Sequence, residues 1–410
     1  MTGKLYQGRY GRILLFIITL FVLAIFLKDN MEVFRLSAYL SILLMSLHLI
    51  FTKIFGEKEY SYQNRIESTV LIFIITYLVI FISLPFLSSS FESLEFWFIS
   101  SIVSLIISVI YLAVPAKQHA VWIPVGTAIV LSIYLTADNQ LLLQSFLAAI
   151  LALIVIIFSY YVKFLTIGGS LMTFLLSISI FGLGGIKWAV PILTFFILSS
   201  ILSKVGKGIK SKFEDTFEKT GIRDQMQVIA NGGIGGILIL LNHFYPSDLF
   251  YLLFLASMAV ATADTWATEI GVLFNGKTRL ITNFREVSPG VSGAISFAGT
   301  TGALLGSLTV VSSGVLFISS EKLMLYFSLS VFGLIGSMID SLVGATLQSQ
   351  YHCRVCGKYT EKSLHCNERT KLVSGHTIIS NDVVNITSAF ITVILFYLFY
   401  KFIILPQIIL

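Results

Sequence analysis

Charge is scarce in this chain. Only 12% of its 410 residues are Asp, Glu, Lys or Arg, about half the share found in soluble domains. That deficit, with 56% hydrophobic residues, excludes a water-soluble surface. The apolar runs lack the two-residue alternation of barrel strands, which excludes a transmembrane β-barrel. Cysteine is nearly absent too. All three, Cys353, Cys356 and Cys366, fall in one short segment, a poor basis for a disulfide framework. The first apolar run, Ile13 to Leu27, has no convincing small-residue cleavage site after it, so it reads as a transmembrane helix and not a cleaved signal. Nothing matches the phosphate-binding pattern G-x-x-x-x-G-K-[ST]. No Ser-His-Asp spacing stands out, and there is no internal repeat.

What is present is a succession of apolar runs near the ~20 residues that a helix needs to cross a bilayer. The expected fold is all-α, a polytopic transmembrane bundle of about thirteen spans. The runs are 13–27, 36–55, 69–87, 96–114, 121–136, 141–161, 164–182, 186–202, 225–241, 249–265, 291–313, 323–344 and 383–400. Lys and Arg alternate with them. Lys4, Arg9 and Arg12 precede the first run, and Lys53, Lys58 and Arg65 follow the second. Lys204 to Arg223, Lys277 to Arg285 and Arg354 to Lys371 occupy later even-numbered connections, while odd ones are nearly bare. That parity places the N-terminus and the even connections in the cytoplasm, with the cell membrane as the expected location. It also accounts for the net charge of +6, so no nucleic-acid partner is expected. The oligomeric state is not legible.

The halves differ. Through residue 163 the spans are Leu-, Ile- and Phe-rich; from 164 on they gain Gly, Ser, Thr and acids. Residues 1–163 read as an accessory bundle and 164–410 as the working domain. Small residues allow close helix packing in lipid, and intramembrane acids are costly and usually functional.

Six clusters carry candidate chemistry. Arg223, Gln227, Asn231 and Gly235 recur every four residues, one polar stripe on a helix. Asp264, Thr268 and Glu269 lie at the expected cytoplasmic end of a span with no basic residue beside them. Glu269 is about 140° around the helix from Asp264, so both reach one site only if the helix breaks or lies between partners. Lys277, Arg279 and Arg285 precede Ser288, Gly290 and Ser292, basic residues before a turn that opens a helix, as anion sites have. Asp340 stands among Gly333, Gly336, Ser337, Ser341 and Gly344. Asp382, with Asn381 and Asn385, opens the last span. Finally, Cys353-X-X-Cys356 is followed by His365-Cys366, a candidate zinc site in a loop expected to be reduced. The alternatives are an arginine that snorkels, packed helix ends, N-caps and unligated thiols. Carboxylates for Mg2+ (Asp264, Glu269, Asp340, Asp382) beside cations for phosphate make up the parts of phosphoryl transfer.

The segments RDQMQVIANGG, ADTWATEIG, ITNFREVSPGVSGAISFAG, GSMIDSLVGATLQ and SNDVVN resemble, in order and number, the integral membrane proteins catalogued as domain of unknown function ninety-two. That family includes the plant phytyl-phosphate kinases. The resemblance covers about residues 165 to 400 and implies CTP-dependent phosphorylation of an isoprenoid monophosphate. It also implies that these acids and Gly/Ser turns form the active site. Cytidylyl transfer to a CDP-lipid, an ion-coupled transporter or lipid translocase, and a scaffold remain alternatives; the last leaves the acids unexplained.

Overall fold

The computed structural model describes residues 9–28, 30–55, 72–82, 93–113, 118–135, 137–206, 208, 221–274, 276–287, 291–318 and 321–406. The basic residues Lys4, Lys58, Arg65, Lys117, Lys207, Lys210, Lys212 and Lys219 lie outside them. The described residues are mostly helical, and the chain divides into two compact units, Met1–Leu151 and Ala152–Leu410.

The first unit holds α1 (Arg9–Phe26), α2 (Met31–Phe55), α3 (Ile72–Ile82), α4 (Ser93–Ala113), α5 (His119–Tyr134) and the start of α6 (Asn139–Tyr161). Leu36, Leu40 and Leu44 are buried at a four-residue spacing on α2, which makes one face of that helix its packing surface. Leu14, Ile17, Phe21 and Phe26 of α1 remain exposed, as apolar side chains facing lipid would be.

The second unit begins with a bent pair. Helix α7 (Ile167–Ser177) passes through a π-turn, Ile178–Gly182, into α8 (Leu183–Lys204). Gly185 breaks the pair at φ 66° and ψ −159°, a conformation open to glycine. The chain folds back there. Leu165, before α7, pairs with Arg223, and Arg223 also binds Ser200 near the end of α8. Lys204 donates to the Val162 carbonyl. Next come α9 (Gln225–Phe244), α10 (Asp248–Leu273), α11 (Phe297–Val315), α12 (Lys322–Leu347) and α13 (Asn381–Phe399). Six helices among the described residues are long and apolar enough to span a bilayer, and one of these, Ile167–Lys204, covers two of the expected runs.

Helix α10 is the axis of this unit, for every residue from Tyr251 to Ala263 is buried. A helix apolar on all sides belongs in a core. Its neighbours reach it through glycine. A Cβ on Gly302 would stand 2.8 Å from the Trp266 carbonyl oxygen, and one on Gly306 would stand 2.9 Å from that of Thr262. Helix α11 therefore lies backbone to backbone on α10. Gly336 of α12 is filled in the same way by Val260 and Thr392. At the far end Tyr251 donates to the Gly314 carbonyl at 2.9 Å.

Three expectations change. The fold is not wholly helical, because the connections carry short strands. β1 (Thr278–Leu280), β2 (Glu286–Val287) and β3 (Ala294–Ile295) form one antiparallel sheet in the order β2-β1-β3. β4 (Gln350–His352), β5 (Tyr359–Thr360) and β8 (Lys371–Ser374) form a second, and β6 (Leu364–His365) pairs with β7 (Glu368–Arg369). The span expected to open at Val291 opens instead at Phe297, capped by Ser296, because residues 294–295 are drawn into β3. The span expected to end at Thr265 runs to Leu273. Asp264 thus lies nine residues inside its helix, about two and a half turns from the end.

The glycine contacts yield a test. Gly302→Ala should cost about 1–3 kcal/mol by overpacking against fixed backbone. Gly233→Ala meets only Ile229 of its own helix, at 3.4 Å, and should be neutral or stabilising, by up to ~1 kcal/mol. Thermal unfolding in detergent measures both; equal midpoints would refute backbone-to-backbone packing.

Candidate functional site

The second unit contains a cavity of about 300 Å³. It gathers the end of α8 (Ser203), the start of α9 (Arg223, Gln227, Asn231) and the last turns of α10 (Asp264, Thr268, Glu269). Ser292, Ser296 and Thr300 line it from around the start of α11, Asp340 and Ser341 from α12, and Asn381 and Asn385 from the start of α13. Helix starts and helix ends alternate here because consecutive helices run antiparallel.

Asp264 and Asp340 form its floor, with their carboxyl groups within hydrogen-bonding reach of each other. Asp340 Oδ2 accepts from Ser388 Oγ at 2.9 Å. With the Asn385 amide turned so that its nitrogen faces acceptors, it donates to Asp340 Oδ2 at 3.1 Å and to the Asn381 carbonyl at 3.2 Å. The charged groups acting on Asp340 are Asp264 and Glu361, both acidic. Two carboxylates this close share a proton or a cation.

The opposite wall is held by Arg223, which is 8% exposed. Its guanidinium donates to Ser200 and lies over the rings of Phe195 and Phe196 at 5.5 and 5.6 Å. It also acts on Glu269 through its charge. Ser203 Oγ donates to Glu269 at 2.5 Å. Asp264 and Glu269 therefore reach one cavity from an unbroken helix, because α10 ends between α8 on one side and α12 on the other.

The start of α9 is tied internally. Asp224 accepts from the backbone of Met226 and Gln227, and the Gln227 side chain returns a bond to the Asp224 backbone, a complete capping box. Asn231 Nδ2 donates to the Gln227 carbonyl at 3.0 Å. Gly235, the fourth member of the stripe, packs against Phe254 and does not line the cavity. Ser292 donates to Gln348 at 2.6 Å, and Gln348 donates to Glu361 at 2.9 Å, closing the rim.

Several expected members stand elsewhere. Asp382 is buried in the first turn of α13 and does not line the cavity. One residue is 100° of helix, so Asn381 and Asn385, four apart, take the cavity face instead. Lys277, Arg279 and Arg285 are also absent from its lining. Lys277 and Arg279 lie on the β1–β2 hairpin, each 3.8 Å from Glu286. Together with Phe284 and Phe297 they line a separate groove, which shares Ile295, Ser296 and Thr300 with the cavity. Arg285 lines neither. Ser288 and Gly290 lie outside the described residues, and the helix opens seven residues after Gly290, not at that turn.

Other members were not foreseen. Ser200, Ser203 and Ser388 hold the charged groups, and Glu361 arrives from the loop after α12. Ser199, Ser200 and Ser203, clustered at the end of an apolar run, were the available signal. In that loop the thiols of Cys353, Cys356 and Cys366 and the His365 ring come together. Backbone N–H donation from Cys356, with lesser help from His365 and Val355, holds the Cys353 thiol down to about 6.

The fold and this cavity define an integral membrane helical bundle with an acidic cleft opening at one end. Residues 150–393 match the family described as "Integral membrane protein DUF92", and the chain belongs to that family. It is similar to "Protein PGR" of Arabidopsis thaliana, 30% identical over 60% of this chain and 92% of that protein. An uncharacterized membrane protein of Methanocaldococcus jannaschii is 35% identical over 44% of this chain and 72% of its own length. "Protein VTE6, chloroplastic" of Arabidopsis thaliana is 30% identical over 29% of this chain and 38% of its own length. No solved structure gives a significant match.

The paired acids make a prediction about the free protein. Asp264→Asn and Asp340→Asn should each raise its stability in metal-free buffer, by about 0.5–2 kcal/mol, since each leaves one acid fewer to bury without its cation. Unfolding in detergent with chelator reads the change. A loss of stability in both variants would mark the acids as structural.

Proposed function

We propose that this protein is a membrane-embedded phosphotransferase that uses CTP and Mg2+ to convert an isoprenoid monophosphate to its diphosphate at the cytoplasmic face. The observation that carries the reading is the meeting of Asp264 and Asp340 in one cavity, with only acids, among the described residues, as the charged groups acting on Asp340. Hard oxygen ligands beside a polar cleft suit Mg2+, which is usually held by one or two carboxylates plus substrate phosphates. Asp264 and Asp340 would hold it, with Glu269 nearby, and the ion would supply charge neutralisation on the polyphosphate. Basic residues at this end of the helices favour the cytoplasmic side.

The chain's own residues divide the remaining work. Asn381 lines the cavity at the start of α13, where the helix dipole also favours anions, while the Asn385 amide holds the Asp340 carboxylate. Lys277 and Arg279 sit beside exposed Phe284 and Phe297 in the adjoining groove. Basic heads beside aromatic rings suit a phosphate attached to an apolar chain. A lipid phosphate in the groove would meet the nucleotide across Ser296 and Thr300. Its terminal oxygen forms a bond to the γ-phosphorus of CTP as the bond between the β-bridging oxygen and that phosphorus breaks, and CDP leaves. The attacking oxygen is already anionic, so no strong base is needed.

Purified protein given CTP, Mg2+ and a series of isoprenyl monophosphates should release CDP. Release of pyrophosphate instead would assign cytidylyl transfer. CTP should raise the thermal midpoint more than other nucleotides do, and Asp340→Asn should abolish that rise. Lys277→Ala with Arg279→Ala should weaken lipid use by about tenfold or more while leaving the CTP-dependent shift in place. Absence of turnover with every lipid, despite CTP-selective binding, would reject the kinase reading.

A further inference from the structure

Residues 348–380 join α12 to α13 and carry Gln348 and Glu361 to the rim of the cavity. The loop has almost nothing apolar inside it. Its buried residues are Gln348, Ser349, Cys353 and Thr360, while Val355, Tyr359, Leu364, Leu372, Val373 and Ile378 are exposed. Two small sheets, β5-β4-β8 and β6-β7, cannot be held by a core of that kind, and small folds without a core need a staple.

The staple is visible in the side chains. One ligand atom each from Cys353, Cys356, His365 and Cys366 lie within 4.8 Å of one another. His365 Nδ1 stands 3.5 Å from the Cys356 sulfur and 3.2 Å from the Cys366 sulfur, so one ring nitrogen faces both. With Zn–S near 2.3 Å and Zn–N near 2.0–2.1 Å, a tetrahedral site separates sulfur from nitrogen by about 3.5 Å and sulfur from sulfur by about 3.8 Å. The His365 nitrogen stands close to that distance from two of the sulfurs, and all four donors lie within 4.8 Å of one another.

The backbone is arranged to match. The Cys356 and Val355 N–H groups donate to the Cys353 sulfur, and Gly357, at φ 71°, closes the turn by donating to the Cys353 carbonyl at 3.0 Å. Cys366 and Asn367, at φ 53° and 61°, make a tight turn between β6 and β7 of the kind hairpins use. That turn brings Cys366 back beside His365. Two turns, each strained or donor-rich, point their sulfurs at one spot.

We infer that Cys353, Cys356, His365 and Cys366 bind a structural Zn2+ that pins the α12–α13 loop and so fixes Gln348 and Glu361 at the cavity rim. All four protein ligands are supplied, so this site is closed and its role is architectural. The inference stands apart from the reaction proposed above.

Full-length protein purified in detergent without chelator should contain about one Zn2+ per chain by elemental analysis. After denaturation with chelator it should titrate as three free thiols. Cobalt exchanged into the native protein should give the intense visible absorption of tetrahedral thiolate coordination, together with sulfur-to-metal charge transfer. This readout needs no variant to fold. Removing the metal should speed hydrogen exchange across 348–380 while leaving α10 unchanged. Cys356→Ser and Cys366→Ser should each lower zinc content by about tenfold or more. A single free thiol, which would mean a disulfide within the cluster, would overturn the inference. So would an octahedral cobalt spectrum, or no retained zinc after incubation with it.

Discussion

Everything in the second unit depends on holding Asp264 and Asp340 against each other. Two acids at that separation need a proton or a cation between them, and burial makes the pairing costly. Lipid supplies no hydrophobic force to press the helices together, so close packing has to do it. Glycine is what permits that packing. Gly336 gives way to Val260 and Thr392, and Gly333 to Ala259 and Ser307, so α12 settles on α10 one turn below Asp340. Gly299, Gly302 and Gly306 bring α11 onto the other flank of α10. The Ser388 hydroxyl and the Asn385 amide then donate to the Asp340 carboxylate, which fixes its rotamer. The small residues serve both purposes: they let the helices approach, and Gly271, Gly299 and Ala303 also line the cavity beside the polar residues.

The wall opposite obeys the same constraint with the sign reversed. Arg223 is buried between two phenylalanine rings and a serine, and Glu269 is its charge partner. An arginine so confined positions its partners more than it pursues a ligand. The more exposed cations, Lys277 and Arg279, lie on a surface hairpin. Buried charge thus lies inside and exposed charge on the hairpin beside the cavity.

How much of this was legible in the sequence depends on how each residue is placed. Asp264, Asp340 and Arg223 stood out because a charge in an apolar run has few inexpensive explanations. Their convergence followed from reading which end of each run they occupied. The register within a helical turn was harder. Asp382 and Asn385 look equivalent in sequence, and only the rotation of α13 turns Asn381 and Asn385 inward and Asp382 away. The basic loop was misread because strands of two or three residues have too short a period to see. Ile295 pairs with Arg279, which delays the helix to Phe297. Glu361 belongs to a loop with no apolar pattern at all, and its place is set by Gln348.

The depth of the cleft bears on what kind of protein this is. Asp264 lies about 14 Å along the helix from its end at Leu273, which brings it toward the middle of the bundle, where carriers place their acids. Depth alone would therefore favour transport. The two directions from Asp264 are not alike, however. Toward Leu273 the helix presents Thr268, Glu269 and Gly271 to the cavity. Toward Asp248 every residue from Ala263 back to Tyr251 is buried, and Phe254, Met258 and Leu255 belong to the packed core. Gly314 sits against Leu255, and the Tyr251 hydroxyl bridges to the Gly314 and Lys187 carbonyls. To open a path on that side, α10 would have to part from α11 along the length where their backbones touch. Interlocked glycine packing resists such sliding, because interiors of this density have discrete arrangements and not continuous ones. A cleft closed by packed helices at its inner end would have to lose that central contact to carry anything across, and this supports the reading proposed above over a carrier.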